Sequence, residues 1–131
     1  MEINRKAVGD AGEADTIAYL ESHGYRMVDA NVRPFHDMRR GEIDLIGWHG
    51  EYLVFIEVKT RRARSASSSL TPAEAVNAPK RRQLLALAEA YLSLHQLDDI
   101  PCRFDVVEVI RRRDGSAQIT IIPNAFTGDD A

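Results

Sequence analysis

Cysteine is almost missing from this chain: Cys102 is the only one in 131 residues. A lone thiol excludes an intramolecular disulfide and a cysteine-rich zinc site, and it fits a reducing cytoplasm. Long apolar runs are missing too. None approaches the roughly 20 residues of a membrane-spanning helix, and the N-terminus lacks a signal-peptide core, so no membrane partner is expected. His23, His36, His49 and His95 show no metal-ligand spacing. There is no internal repeat, glycine-rich phosphate loop or nucleophilic triad. What remains is ordinary for a soluble globular protein, with 44% hydrophobic and 28% charged residues, enough for one modest core and a single domain over 1–131.

The chain is organised around residues 41–62, GEIDLIGWHGEYLVFIEVKTRR. Residues 42–48 and 52–60 are rich in Ile, Leu, Val and aromatics, and Gly50-Glu51 suits a tight turn. A two-residue loop there pairs His49 with Tyr52, so the numbers of opposed residues sum to 101. Asp44 then faces Glu57, and Glu42 faces Lys59. All four side chains share one face, because strand side chains alternate by two. Leu53 and Phe55 lie on that face as well, while Val54, Ile56 and Val58 make the other face apolar. Carboxylates that close on a half-buried face repel unless a proton or cation lies between them. A hard divalent cation with oxygen ligands would compensate them. The alternative is an exposed strand with Glu42 and Lys59 as a cross-strand ion pair.

An Asp on one strand followed by Glu-x-Lys on the next resembles the core of the PD-(D/E)xK nuclease superfamily. The wording GEIDLI, FIEVKTR and RFDVV is closer to one branch, the YraN-like family of uncharacterised bacterial proteins, similar in plan to archaeal Holliday-junction resolvases. The likeness runs from Gly12-Glu13 through Asn124-Ala125-Phe126. It implies a restriction-endonuclease-like α/β fold. It further implies that Asp44, Glu57 and the backbone carbonyl of Val58 would bind Mg²⁺ or Mn²⁺, that Glu13 would hold a second ion or a metal-bound water, and that Lys59 would orient or deprotonate the attacking water.

Residues 9–23 read as the first helix, capped by Gly24. Glu13, Ile17 and Leu20 fall on one face, which puts a carboxylate in an apolar stripe: either hydrogen-bonded structure or an active-site acid. Superfamily members often carry such a Glu on this helix. A strand follows over 25–33, with Tyr25, Met27 and Asp29 on one face and Arg26 and Val28 on the other. Residues 63–70, ARSASSSL, are the only low-complexity stretch and are expected to be a flexible loop. Thr71-Pro72-Ala73-Glu74 is a helix start, Pro79 breaks or restarts the helix, and residues 80–95 are amphipathic. Strands over 103–110 and 117–122 close the chain, and 127–131 is expected to be a disordered tail. The order predicts an α/β fold with a central mixed five-stranded sheet and a helix on each side.

The net charge of −3 hides a segregation. Arg33, Arg39, Arg40, Arg61, Arg62, Arg64, Lys80 and Arg81 cluster around the hairpin and the second long helix, as candidate phosphate contacts. Each run is otherwise a solvated edge, and that is the preferred reading for Arg111-Arg112-Arg113. The sequence thus points to a metal-dependent nuclease of the cytoplasm, acting on DNA in preference to RNA. Glu42 would support the site by pairing with Lys59, and a homodimer would match symmetric junction cutters. The competing readings are a nucleic-acid-binding module without catalysis and a protein adaptor, which leaves the acids unexplained.

Overall fold

The computed structural model describes residues 14–62 and 72–127. Its elements are α1 (Ala14–Ser22), β1 (Tyr25–Val32), a 3-10 turn (Met38–Arg40), β2 (Ile43–His49), β3 (Tyr52–Arg62), α2 (Pro72–Ala75), α3 (Ala78–Leu94), β4 (Cys102–Arg111) and β5 (Ala117–Phe126). The five strands form one sheet in chain order. Neighbours are antiparallel except β3 and β4, which run parallel and are joined by the crossover that carries α3. This is an α/β fold with a mixed five-stranded sheet, consistent with the restriction-endonuclease-like fold. The expected 63–70 loop lies outside the described residues, as do residues 128–131 of the expected tail.

The β2–β3 hairpin adopts the anticipated register, from Leu45↔Ile56 to His49↔Tyr52. Gly50 has φ +61°, as the first central residue of a type II′ turn requires. The two faces of β3 pack against different helices. Leu53 and Phe55 join Leu84, Leu87, Ala88 and Tyr91 of α3, while Val54 and Ile56 join Leu20 of α1. Ile17 packs against that second cluster, so the α1 stripe is as expected from Ile17 onward. Gly24, at φ +89°, ends α1 and donates its N–H to the Glu21 carbonyl (3.1 Å). Pro79 begins the second long helix rather than breaking it: Asn77 caps α3, its Oδ1 accepting the Lys80 N–H at 3.0 Å.

Two expectations are corrected. Asp29 does not share a face with Tyr25 and Met27. The β1–β2 register shifts between Met27 and Asp29, so the extra residue turns Asp29 to the α3 side, where its carboxylate acts on Tyr91. Arg111 is no solvated edge either: it makes a bidentate pair with Asp15 (3.0 Å twice), tying α1 to β4.

At the end of the sheet where β3 and β4 begin, Asp105 is 1% exposed and fully engaged. It accepts from Tyr25 Oη at 2.5 Å, from Arg103 Nε and Nη2 at 2.8 Å each, and from the Asn124 N–H at 2.8 Å. Arg103 Nη2 also meets His49 Nδ1 at 2.8 Å, and the His49 ring stacks on Tyr25 at 4.3 Å. Burial, then the Asp105 hydrogen bond, push the Tyr25 hydroxyl far above its ordinary range, so it stays a donor. Asp105→Ala is expected to cost about 3 kcal/mol, because it leaves the partly buried Arg103 guanidinium, the Tyr25 hydroxyl and the Asn124 N–H without their shared acceptor. Tyr25→Phe removes one bond and is expected to cost about 1 kcal/mol. Urea unfolding at neutral pH measures both.

Candidate functional site

The β2–β3 ladder ends at Leu45↔Ile56. Below that pair β2 stays with β1 as far as Val32↔Ile43, while β3 runs on with β4 to Arg62↔Arg111. Asp44 fills the place the ladder vacates. Its Oδ2 accepts the Val58 N–H at 2.8 Å, so a side chain replaces a backbone carbonyl. N–H and C=O of one strand residue point to the same side. The Val58 carbonyl therefore faces the side from which Asp44 approaches.

Glu57 projects beside Asp44 on the α3 face and is 9% exposed. Its Oε2 is buried and makes no hydrogen bond. The ion partner of that oxygen is Lys80 Nζ at 3.6 Å, too long for a hydrogen bond. Burial raises the Glu57 carboxyl above its ordinary value of 4.5, and the charge of Asp44 adds to the rise, against opposition from Lys80 and Lys59. Burial likewise raises Asp44 above 3.8; the Val58 N–H, Lys80 and Lys59 oppose it, and Glu42 reinforces it. Both carboxylates are thus held at high energy when ionised, despite two lysines.

The charge of Asp44 raises the cost of ionising Glu57, and both acids feel the same two lysines, Lys80 first and Lys59 after it. Glu13 and Arg64 lie outside the described residues. An open cavity of about 330 Å³, lined by Arg33, Gly41, Glu42, Asp44 and Lys80, opens onto Asp44. Gly41 at its rim has φ +97°, a left-handed conformation that side-chain-bearing residues rarely adopt, and it lies beside Gln83, whose Nε2 donates to the Arg40 carbonyl (3.2 Å).

The basic residues divide. Arg33 pairs with Glu42 at 3.2 Å, which corrects the expected Glu42–Lys59 pair. Glu42 precedes the first residue of β2, so the strand register no longer dictates its neighbour. Arg39 is 94% exposed beside Asp37 (3.8 Å), and Arg40 stacks over Phe35 at 3.6 Å. Arg61 pairs with Glu108 at 3.4 Å, and Arg62 is exposed. Arg81 Nη1 donates to the Val76 carbonyl at 2.7 Å, fixing the start of α3 rather than reaching outward.

Such an arrangement is best placed among relatives. The model of the uncharacterised protein family UPF0102 matches residues 12–109, a span that holds the hairpin, α3 and most of β4. The chain belongs to the UPF0102 (YraN-like) family. A UPF0102 protein of Symbiobacterium thermophilum is 48% identical over 92% of this chain and 97% of its own length. One from Dehalococcoides mccartyi is 43% identical over 83% of this chain and 84% of its own. One from Syntrophotalea carbinolica is 40% identical over 98% of each.

Sequence reasoning misses two features of this UPF0102 site. Glu108, fully buried on β4, stands beside Lys59 in the parallel register. Its place in FDVVEVI reads as a polar strand position, and no turn fixes a parallel register. Lys80, one of the candidate phosphate contacts, pairs with Glu57. Among the described residues no helix is long and apolar enough to cross a membrane.

Both acids have raised folded-state pKa values, so their contribution to stability is present below the ordinary carboxylate range and is lost as pH rises through the raised values. Asp44→Asn or Glu57→Gln is therefore expected to raise the melting temperature of metal-free protein near neutral pH. The gain is expected at roughly 0.5–2 kcal/mol, the usual scale for relieving a strained site, and it should shrink as pH falls through the raised values, where the wild-type carboxyls protonate. Thermal melts against pH in chelator measure this.

Proposed function

We propose that this protein is a metal-dependent phosphodiesterase of nucleic acid, with DNA the favoured substrate. The observation that carries the reading is the buried Glu57 Oε2 without a hydrogen bond, held beside a second carboxylate whose charge it feels. Such an arrangement is costly in a purely structural role and useful around a cation.

The donors suit a hard ion. Asp44, Glu57 and the Val58 carbonyl would hold Mg²⁺ or Mn²⁺ through oxygen alone, with Glu13 as a further acid and water completing the shell. A divalent ion bound there supplies an acidified water and charge neutralisation on the attacked phosphate. The chain's own residues do the rest. Asp44 is locked by the Val58 N–H, so its free oxygen keeps a fixed direction. Lys59 adds positive charge close to both acids and would orient the attacking water. Exposed Arg39, Arg40, Arg62 and Arg82 would track the phosphate backbone, fixing register without reading sequence.

A second reading stands beside it. Among the described residues no three His, Cys, Asp or Glu are grouped to hold an ion. Glu13, the third acid of the proposed site, lies outside those residues, and a nucleic-acid-binding module that kept the fold and lost catalysis is the second reading because fold does not fix function.

Incubating purified protein with Mn²⁺ and a panel of branched and linear DNA and RNA separates the two. The nuclease reading expects cleavage that chelator abolishes. Asp44→Ala should lower it by at least about a hundredfold, the scale of losing one preorganised electrostatic group. Salt-dependent binding with no cleavage would support the module instead. Under either reading, neutralising Arg39, Arg40 and Arg62 should flatten the slope of log affinity against log salt, by up to about 0.9 for each phosphate that is no longer neutralised. Arg61 is left out of that set because its charge serves Glu108.

A further inference from the structure

Lys80 is placed for a role that phosphate binding does not describe. Its backbone is fixed, because the N–H is capped by Asn77 in the first turn of α3. Its side chain is not. Among the described residues its one ion partner is Glu57, at a distance without a hydrogen bond. The ammonium lines the cavity with Asp44, and 30% of the side chain remains exposed. A cation in the first turn of a helix opposes the macrodipole, so α3 itself gives the ammonium no reason to stay. What holds it is the acid pair. A four-carbon stem with three rotatable donors on a fixed backbone is well suited to swing away.

We infer that Lys80 is the resident counter-ion of the Asp44–Glu57 pair, occupying the cation position in metal-free protein and released when a divalent ion binds. This rests on the proposed metal site and adds a coupling to it. In the metal-free protein the ammonium is spent on Glu57, and nucleic acid meets one cation fewer. With the ion bound, Glu57 no longer needs Lys80, and the freed ammonium borders the same cavity, where a phosphate would lie. Metal and nucleic acid then favour each other's binding, each by the same factor.

The test is calorimetric titration of Mn²⁺ into the full-length protein, as wild type, Lys80→Met, Lys80→Gln and Asp44→Asn, each first shown to be folded by circular dichroism. Lys80→Met removes the competing charge and keeps the apolar stem; it is expected to bind Mn²⁺ about three- to tenfold more tightly than wild type, the effect of one partly screened charge. Lys80→Gln carries the same expectation should the Met variant fold poorly. Asp44→Asn is expected to lose Mn²⁺ binding. In a companion measurement, Mn²⁺ should steepen the salt dependence of nucleic-acid affinity in wild type and leave it unchanged in Lys80→Met. If wild type binds Mn²⁺, Asp44→Asn does not, and the Lys80 variants bind equally or more weakly, the counter-ion role is overturned while the metal site stands. If wild type and the Lys80 variants alike fail to bind Mn²⁺, the metal site falls and the counter-ion role with it.

Discussion

The hydrogen bond from the Val58 N–H to Asp44 (2.8 Å) is the constraint on which the site depends. A sheet ladder normally satisfies every backbone group with another backbone group. Here β2 and β3 stop pairing at Leu45↔Ile56, and a carboxylate takes over the next donor. That one substitution has three consequences. It satisfies a backbone N–H at the point where the strands part. It fixes Asp44 against β3, so the acid cannot turn away from Glu57. It also leaves the Val58 carbonyl on the side that Asp44 faces. The neighbouring ladder between β3 and β4 runs unbroken past this point, which makes β3 the rigid element on which Glu57 and Lys59 are mounted.

The cost is electrostatic. Two carboxylates lie on a face otherwise filled by Leu53, Phe55 and Tyr91, and burial raises both. Two lysines answer them incompletely. The other end of the sheet shows what full compensation looks like. Asp105 is buried more deeply than either acid, yet its two oxygens receive four hydrogen bonds from Tyr25, Arg103 and the Asn124 backbone. The same fold therefore builds one carboxylate into a satisfied network and leaves another, Glu57, with an oxygen unbonded. That contrast between Asp105 and Glu57 is what the proposed cation site is built on.

Much of this was legible because period-two patterning and a Gly-Glu turn fix an antiparallel hairpin locally. The pairing of residues 45–49 with 52–56, the two apolar faces of β3 and the nearness of Asp44 to Glu57 all follow from those residues alone. The signal fails where local order fails. An extra residue in β1 turned Asp29 to the other face, and nothing in YRMVDANV marks the shift. Glu42 escaped the register by lying just outside β2 and found Arg33. Glu108 was invisible because a parallel pairing is set by the crossover helix, not by a turn. Lys80 meets Glu57 only because α3 packs across the sheet. Helix periodicity gives the buried face of α3 but not which strand residue its first turn reaches.

The central claim is that Asp44 and Glu57 form a cation site now balanced by Lys80. Diffraction from crystals grown with millimolar Mn²⁺, recorded with manganese anomalous signal, tests it most directly. The account predicts an anomalous peak bound by oxygens of Asp44 and Glu57, with the Lys80 ammonium moved off Glu57. No peak at that position, with the Lys80–Glu57 pair intact, would contradict it.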